Sequence, residues 1–180
     1  MISENDVLKF WFEELKPQDW YRKDSNLDKK IRQKFEPTYW QATRGELYPW
    51  RLTLRGRLAE ILVLDQFSRN MFRNDSQAFR FDSLAVILSQ EASQDKNFSS
   101  LSSAEQSFIL MPLMHSESSF IHELAIKEFS RPGLENNLEF EYKHKAIIDR
   151  FDRYPHRNKI LGRDSTPEEI EFLKEPNSSF

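Results

Sequence analysis

The chain has 180 residues, 38% hydrophobic and 31% charged, with 15 Phe and 4 Trp. That suits one domain with a single sizeable core and excludes a disordered chain. It has no Cys and only four Gly, which excludes disulfides, thiolate catalysis and Cys-bound metal clusters, leaves little for glycine-rich phosphate loops, and points to a reducing cytoplasm. The formal net charge of −3 argues against a general nucleic-acid or membrane-surface binder.

The opening, Met1 to Leu15, carries acids and lacks a basic region with a small-residue cleavage site, so no signal peptide is expected. Ser3 with Asp6 predicts a capped helix from Glu4 to about Leu15. Ser25 with Asp28 predicts the start of a second, Asn26 to about Arg44, with Pro37 as a possible kink. A third helix is predicted from Trp50 to about Asn70; it is apolar on most sides and therefore central. Its most apolar stretch, Leu58 to Phe67, is too short to span a bilayer and is interrupted by Glu60 and Asp65. Further helices are expected over Ser76–Glu91, Ser103–His115 (opened by Ser102 with Glu105 and disturbed by Pro112), Glu117–Phe129, Leu134–Asp152 and Pro167–Lys174. Gln94 to Ser102 reads as a surface loop. The sum is about eight helices, no strand alternation and no tandem repeat.

Three of these helices carry ionisable groups where apolar residues belong. With Asp65 as the zero direction, Leu54, Leu58, Ile61 and Phe72 fall within roughly 40° of it at about 100° per residue. A carboxylate in a hydrophobic stripe needs a partner, and Arg69 stands at i,i+4. Gln66, Asn70 and Arg73 widen this polar patch. Phe140, Ile147, Ile148 and Phe151 surround His144, with Glu141 placed to orient it. His115 shares a face with Ala104, Phe108 and Met111, and Glu117 follows it. Each group has a bland reading as a structural ion pair, a core histidine or a helix corner. Together they suggest one polar cavity in which Asp65, Arg69, His115 and His144 meet.

The segment from Asp149 to Arg163 packs basic groups around Pro155. Arg153, His156 and Arg157 read as an anion site, because arginine forks match carboxylate and phosphate. Lys159 and Arg163 read as solvated or internally paired, with Asp149, Asp152 and Asp164 as nearby partners. His122–Glu123 begins like a zinc-protease helix, but Ile126 stands where the second ligand belongs, so neither metal nor cofactor is expected. The aromatics lie in helical stripes, which does not suit single-strand stacking.

Three segments, Leu64–Asn70, Met111–Glu117 and Phe151–Asn158, together with Phe10–Trp11–Phe12, Trp20–Tyr21 and Gly162–Glu169, resemble bacterial domain-of-unknown-function family 924. The resemblance spans essentially the whole chain. It implies an all-helical, tetratricopeptide-like α–α superhelix, and it implies no activity. It adds Asn158 to the polar positions of interest. Ser68 and Asp152 depart from the family pattern, which there often has Pro and Gly; Asp152 beside Arg153 would weaken an anion site.

Three functions stay open on the sequence. The first is a cytoplasmic binding module for an anionic small molecule or acidic peptide, with neither nucleic acid nor membrane as partner. The second is an enzyme using Asp65 with His115 or His144 in acid–base chemistry while Arg69, Arg153 and Arg157 hold an anion. The third is a scaffold with a buried polar network. The sequence leaves the oligomeric state open.

Overall fold

Ser3 caps the first helix from both sides in the computed structural model, which describes residues 2–179. Its hydroxyl accepts the Asp6 N–H at 3.3 Å, and the Asp6 carboxylate accepts the Ser3 N–H at 2.8 Å. Helix α1 (Glu4–Lys9) runs into a π turn over Phe10–Glu14, closed by the Leu15 N–H on the Phe10 carbonyl. Then follow α2 (Ser25–Thr43), α3 (Leu54–Leu62), a second π turn (Val63–Phe67) and α4 (Ser68–Met71). The chain continues as α5 (Asp82–Ser93), α6 (Ser103–His115), α7 (Ser119–Phe129), α8 (Glu135–Phe151) and α9 (Pro167–Phe172). Since α3, the π turn and α4 are continuous, the described residues form eight helices, with no strand among them. The fold is all-α, as the sequence predicts, and no helix among the described residues is long and apolar enough to cross a membrane.

Several starts differ from expectation for local reasons. Asp24, not Ser25, caps α2, taking the N–H groups of Asn26 and Leu27. That leaves Asp28 free of capping duty, and it holds Asn70 and Arg73 across to α4. The helix expected from Trp50 begins after Thr53, whose hydroxyl caps the Gly56 N–H; Tyr48–Leu52 is a 3₁₀ turn. Asp75 likewise caps a 3₁₀ turn over Ser76–Phe79 before α5. Helix α7 starts at Ser119 rather than Glu117, because Ser116 to Ser118 are needed for the corner out of α6. The predicted surface loop does bury one residue, Phe98, beneath a short 3₁₀ turn. Pro37 and Pro112 both sit inside unbroken helices.

Helix α3 packs on α1, α5 and α6, and the π turn that continues it packs on α2, which makes this the central rod its all-round apolarity calls for. The core is built on aromatic rings. Phe35 and Phe67 meet at 4.7 Å, Phe10 closes on Phe35 at 5.1 Å, and Trp11 lies 5.4 Å from Phe108. A second, smaller cluster of Ile147, Ile148, Tyr154 and Phe172 forms where α8, the following turn and α9 meet. Gly56 lets α3 approach the preceding turn: a β-carbon there would stand 1.9 Å from the Trp50 carbonyl oxygen. Replacing Gly56 by Ala is expected to lower stability by about 2 kcal/mol through backbone displacement, measurable as a shifted urea midpoint with an unchanged slope.

Candidate functional site

The site begins with the second π turn. An i→i+5 turn holds one more residue than an α turn, and such turns are frequent where a side chain must be re-aimed. Here that segment carries Asp65, which is 1% exposed. Its Oδ1 lies 2.7 Å from Nδ1 of His115 at the end of α6 and 3.0 Å from a terminal nitrogen of Arg69. Its Oδ2 accepts from the Gln66 amide at 2.5 Å. Burial alone would raise this carboxyl, but Arg69 and His115 outweigh it and hold Asp65 well below the usual range. Asp65 is therefore ionised and accepts the Nδ1–H of His115. Burial pushes His115 below its ordinary value, partly opposed by Asp65, so the imidazole is neutral at pH 7, with Nε2 as its uncommitted nitrogen.

Arg69 does more than pair at i,i+4. Its guanidinium also forks onto Asp82, at 3.0 and 2.8 Å. Asp82, the first residue of α5, thus joins the α3–α4 rod to α5. Arg157 completes the inner group from the other side. It donates to the His115 carbonyl at 3.0 Å and stands 3.8 Å from Asp82. Its guanidinium lies between the rings of Phe79 and Tyr154, 4.6 Å from each. Burial first, and then Arg69, push the Arg157 pKa downward.

Asp82, His115 and Arg157 border a cleft of about 550 Å³ whose walls also include Phe79, Arg80 and Glu117, with Asp65 and Arg69 behind them. Expected neighbours Asp65, Gln66, Arg69, His115 and Arg157 do come together here. His144 stands one layer back, its ring 5.8 Å from Tyr154 and its Nδ1 donating to the Phe140 carbonyl at 2.8 Å. Glu141, expected to orient His144, turns instead to His122, with Oε1 2.5 Å from Nδ1. His122 donates from Nε2 to the Ser116 carbonyl at 2.9 Å, which pins the corner after His115. His156 also lies against Tyr154, at 5.6 Å between rings.

Other expected site residues are bound up elsewhere. Asn70 and Arg73 serve Asp28, because Asp24 took over the cap of α2. Arg153 is forked onto Glu169 at 2.6 and 2.8 Å, so it does not reach the cleft. Its partner is Glu169, not the adjacent Asp152. Asp152 instead ends α8 in the left-handed region at φ 56°, which explains why a glycine suits that position. Asn158 joins the same bracket, donating to Ser165 and Glu169 and accepting from Arg163. Arg163 forks onto Glu117 at 2.7 and 2.9 Å, and Glu117 also accepts the Tyr154 N–H. Glu117 thus lines the cleft with its charge already engaged.

Sequence reasoning missed Asp82 and Tyr154. Asp82 shows only as an acid in a helix's first turn, which is common; nothing local marks it as a partner thirteen residues from Arg69. Tyr154 hides beside the more conspicuous Arg153. Its hydroxyl donates to the Met114 carbonyl at 2.6 Å, and its ring is the partition between Arg157 and the two imidazoles of His144 and His156. No group of acids and histidines with metal-holding geometry occurs among the described residues.

Comparison with known proteins gives two matches. Residues 7–177 match the model of a family described as bacterial protein of unknown function (DUF924). A solved structure of a protein of unknown function from Agrobacterium tumefaciens is similar at a TM-score of 0.89 and 32% identity, covering 95% of this chain and 96% of that one. No curated protein matches.

Proposed function

Given that the chain belongs to the bacterial DUF924 family, we propose that it is a binding module for a small carboxylate-bearing molecule, held by Arg157 in the cleft beside His115. The observation that supports this most is the state of Arg157. It is 6% exposed, has five N–H donors, and makes one hydrogen bond among the described residues, to the His115 carbonyl. Its Nε has no partner. A buried guanidinium so poorly satisfied is costly unless a ligand supplies acceptors.

The acids nearby do not supply them. Asp82 is forked by Arg69 and Glu117 by Arg163. The cationic side chains on the cleft wall are Arg80 and Arg157, and neither is forked by a carboxylate, whereas both acids of the wall already hold an arginine. The acids on the wall also disfavour a phosphate dianion relative to a carboxylate. The cleft volume suits a small molecule, whereas an acidic peptide would need the long concave surface of the superhelix that the family resemblance implies. The bracket of Glu117, Arg153, Asn158, Arg163 and Glu169 has a scaffold role, holding the turn that presents Arg157.

Succinate at millimolar concentration is expected to raise the melting temperature by several degrees, since occupancy at about 100 times Kd adds about 2.7 kcal/mol. Inorganic phosphate is expected to do less. Arg157→Gln should still melt cooperatively and show no succinate shift. An unchanged shift in that variant, or none in the parent protein across small carboxylates, would dismiss the site.

A further inference from the structure

We propose that the same cleft is a hydrolytic site, in which His115 is the general base that activates water against a small ester whose far end carries a carboxylate. The carboxylate end rests on the Arg157 site above; the base does not.

The argument for the base is geometric. A useful imidazole base needs one nitrogen fixed by an acceptor and the other open toward substrate. Asp65 Oδ1 at 2.7 Å provides the fixing acceptor. Arg69 and Gln66 hold that carboxylate in turn. The backbone of His115 is pinned by Arg157 on its carbonyl. The histidine side chain keeps 17% exposure and lines the cleft, while Asp65 is sealed behind it. His122 shares the carboxylate partner but not the opening: it is fully buried and its second nitrogen is engaged as well. Of the two His–carboxylate pairs, one is closed off and the other opens onto a cavity bearing an anion-binding arginine.

The chemistry balances with water alone. Nε2 of His115 takes a proton from water as the water oxygen bonds to the ester carbonyl carbon. The tetrahedral adduct then breaks its bond to the alcohol oxygen, which recovers the proton from Nε2. One water is consumed, one acid and one alcohol are released, and His115 returns to its neutral form. Asp65 is a positioning residue that keeps the Nδ1 proton in place. No oxidant or second substrate is needed.

The test uses the full chain with two probes, monoethyl succinate and neutral ethyl acetate, with acid release followed at constant pH; an alkyl ester has too poor a leaving group for its own carboxylate to expel. The succinate ester is expected to react with a kcat/KM at least about tenfold higher, the size of one well-placed charge contact. The rate should rise with pH through a midpoint below the ordinary imidazole value of about 6.5. His115→Gln should lower kcat by about 100-fold or more. Arg157→Gln, which also frees the His115 carbonyl, should abolish the preference for the succinate ester over the acetate ester. Because His115→Gln also removes a donor from the buried Asp65, the parent protein is treated in parallel with diethyl pyrocarbonate. Loss of activity should track modification of His115 by peptide mapping, with succinate protecting. A parent protein that binds succinate but hydrolyses neither ester beyond its His115→Gln variant overturns the hydrolytic site and leaves the binding reading standing. Equal hydrolysis of both esters without any succinate protection overturns the carboxylate end, and the binding reading with it. Inactivation that maps to another residue overturns the assignment of the base.

Discussion

Replacing Asp65 by Ala is expected to destabilise the fold by about 3–5 kcal/mol, as for loss of one member of a buried ion pair. The change removes the acceptor of the His115 Nδ1–H and of the Gln66 amide, and one of the two carboxylates on Arg69. Asp82 keeps its fork on Arg69, so the arginine is not stranded, which sets the lower end of the range. Asp65→Asn should cost less, because its side chain can still accept from His115. Urea unfolding of the parent and both variants reads the differences directly. A loss under about 1 kcal/mol for the alanine variant would mean that Asp65 is solvated and that Arg69 and His115 stand without it, contrary to the geometry above.

Acidification is expected to unfold the protein well before its carboxylates titrate. His144 and His156 have pKa values pushed down to about 3 and about 4, in both cases chiefly by burial. In the unfolded chain both titrate near 6.5. Between those limits the unfolded state binds more protons, so stability is complete above about pH 6.5 and falls as pH drops toward 4. The two together remove on the order of 5 kcal/mol by pH 4, comparable with the whole stability of an average domain. Asp65, held below its ordinary value, adds a loss in the same direction at still lower pH. Burial raises Glu141, which opposes this in part. The measurement is the urea midpoint from pH 7.5 to 4.5. A flat profile over that interval would show both imidazoles to be solvated. His144→Gln should flatten part of the slope.

Periodicity was sufficient wherever a residue's environment is set by its own helix. Asp65, His115 and His144 stand out because each interrupts a stripe of apolar neighbours three and four positions away, and all three are indeed drawn inward. The helices themselves followed from capping residues and apolar spacing. Pairing across helices was not legible. Asp82, Asp28 and Glu169 look like ordinary first-turn acids, and their partners lie 13, 45 and 16 residues away. Nothing in a single sequence says which arginine each will meet. Arg153 illustrates the consequence: it has the composition of an anion site, and its position opposite the Thr166 cap makes it a strut. The π turns were invisible for a related reason. A wheel drawn at a uniform 100° per residue has no place for a surplus residue.

That surplus residue has a consequence for how this rod tolerates change. Between Leu62 and Ser68 the chain runs five residues in π geometry. Deleting one of them would relax the segment to a regular helix, and because a π turn is an α turn with one residue added, Arg69 would return to nearly the direction it has now. Such a deletion would instead cost the aim of Asp65 inside the turn, so the added residue serves that carboxylate rather than the helix that follows it.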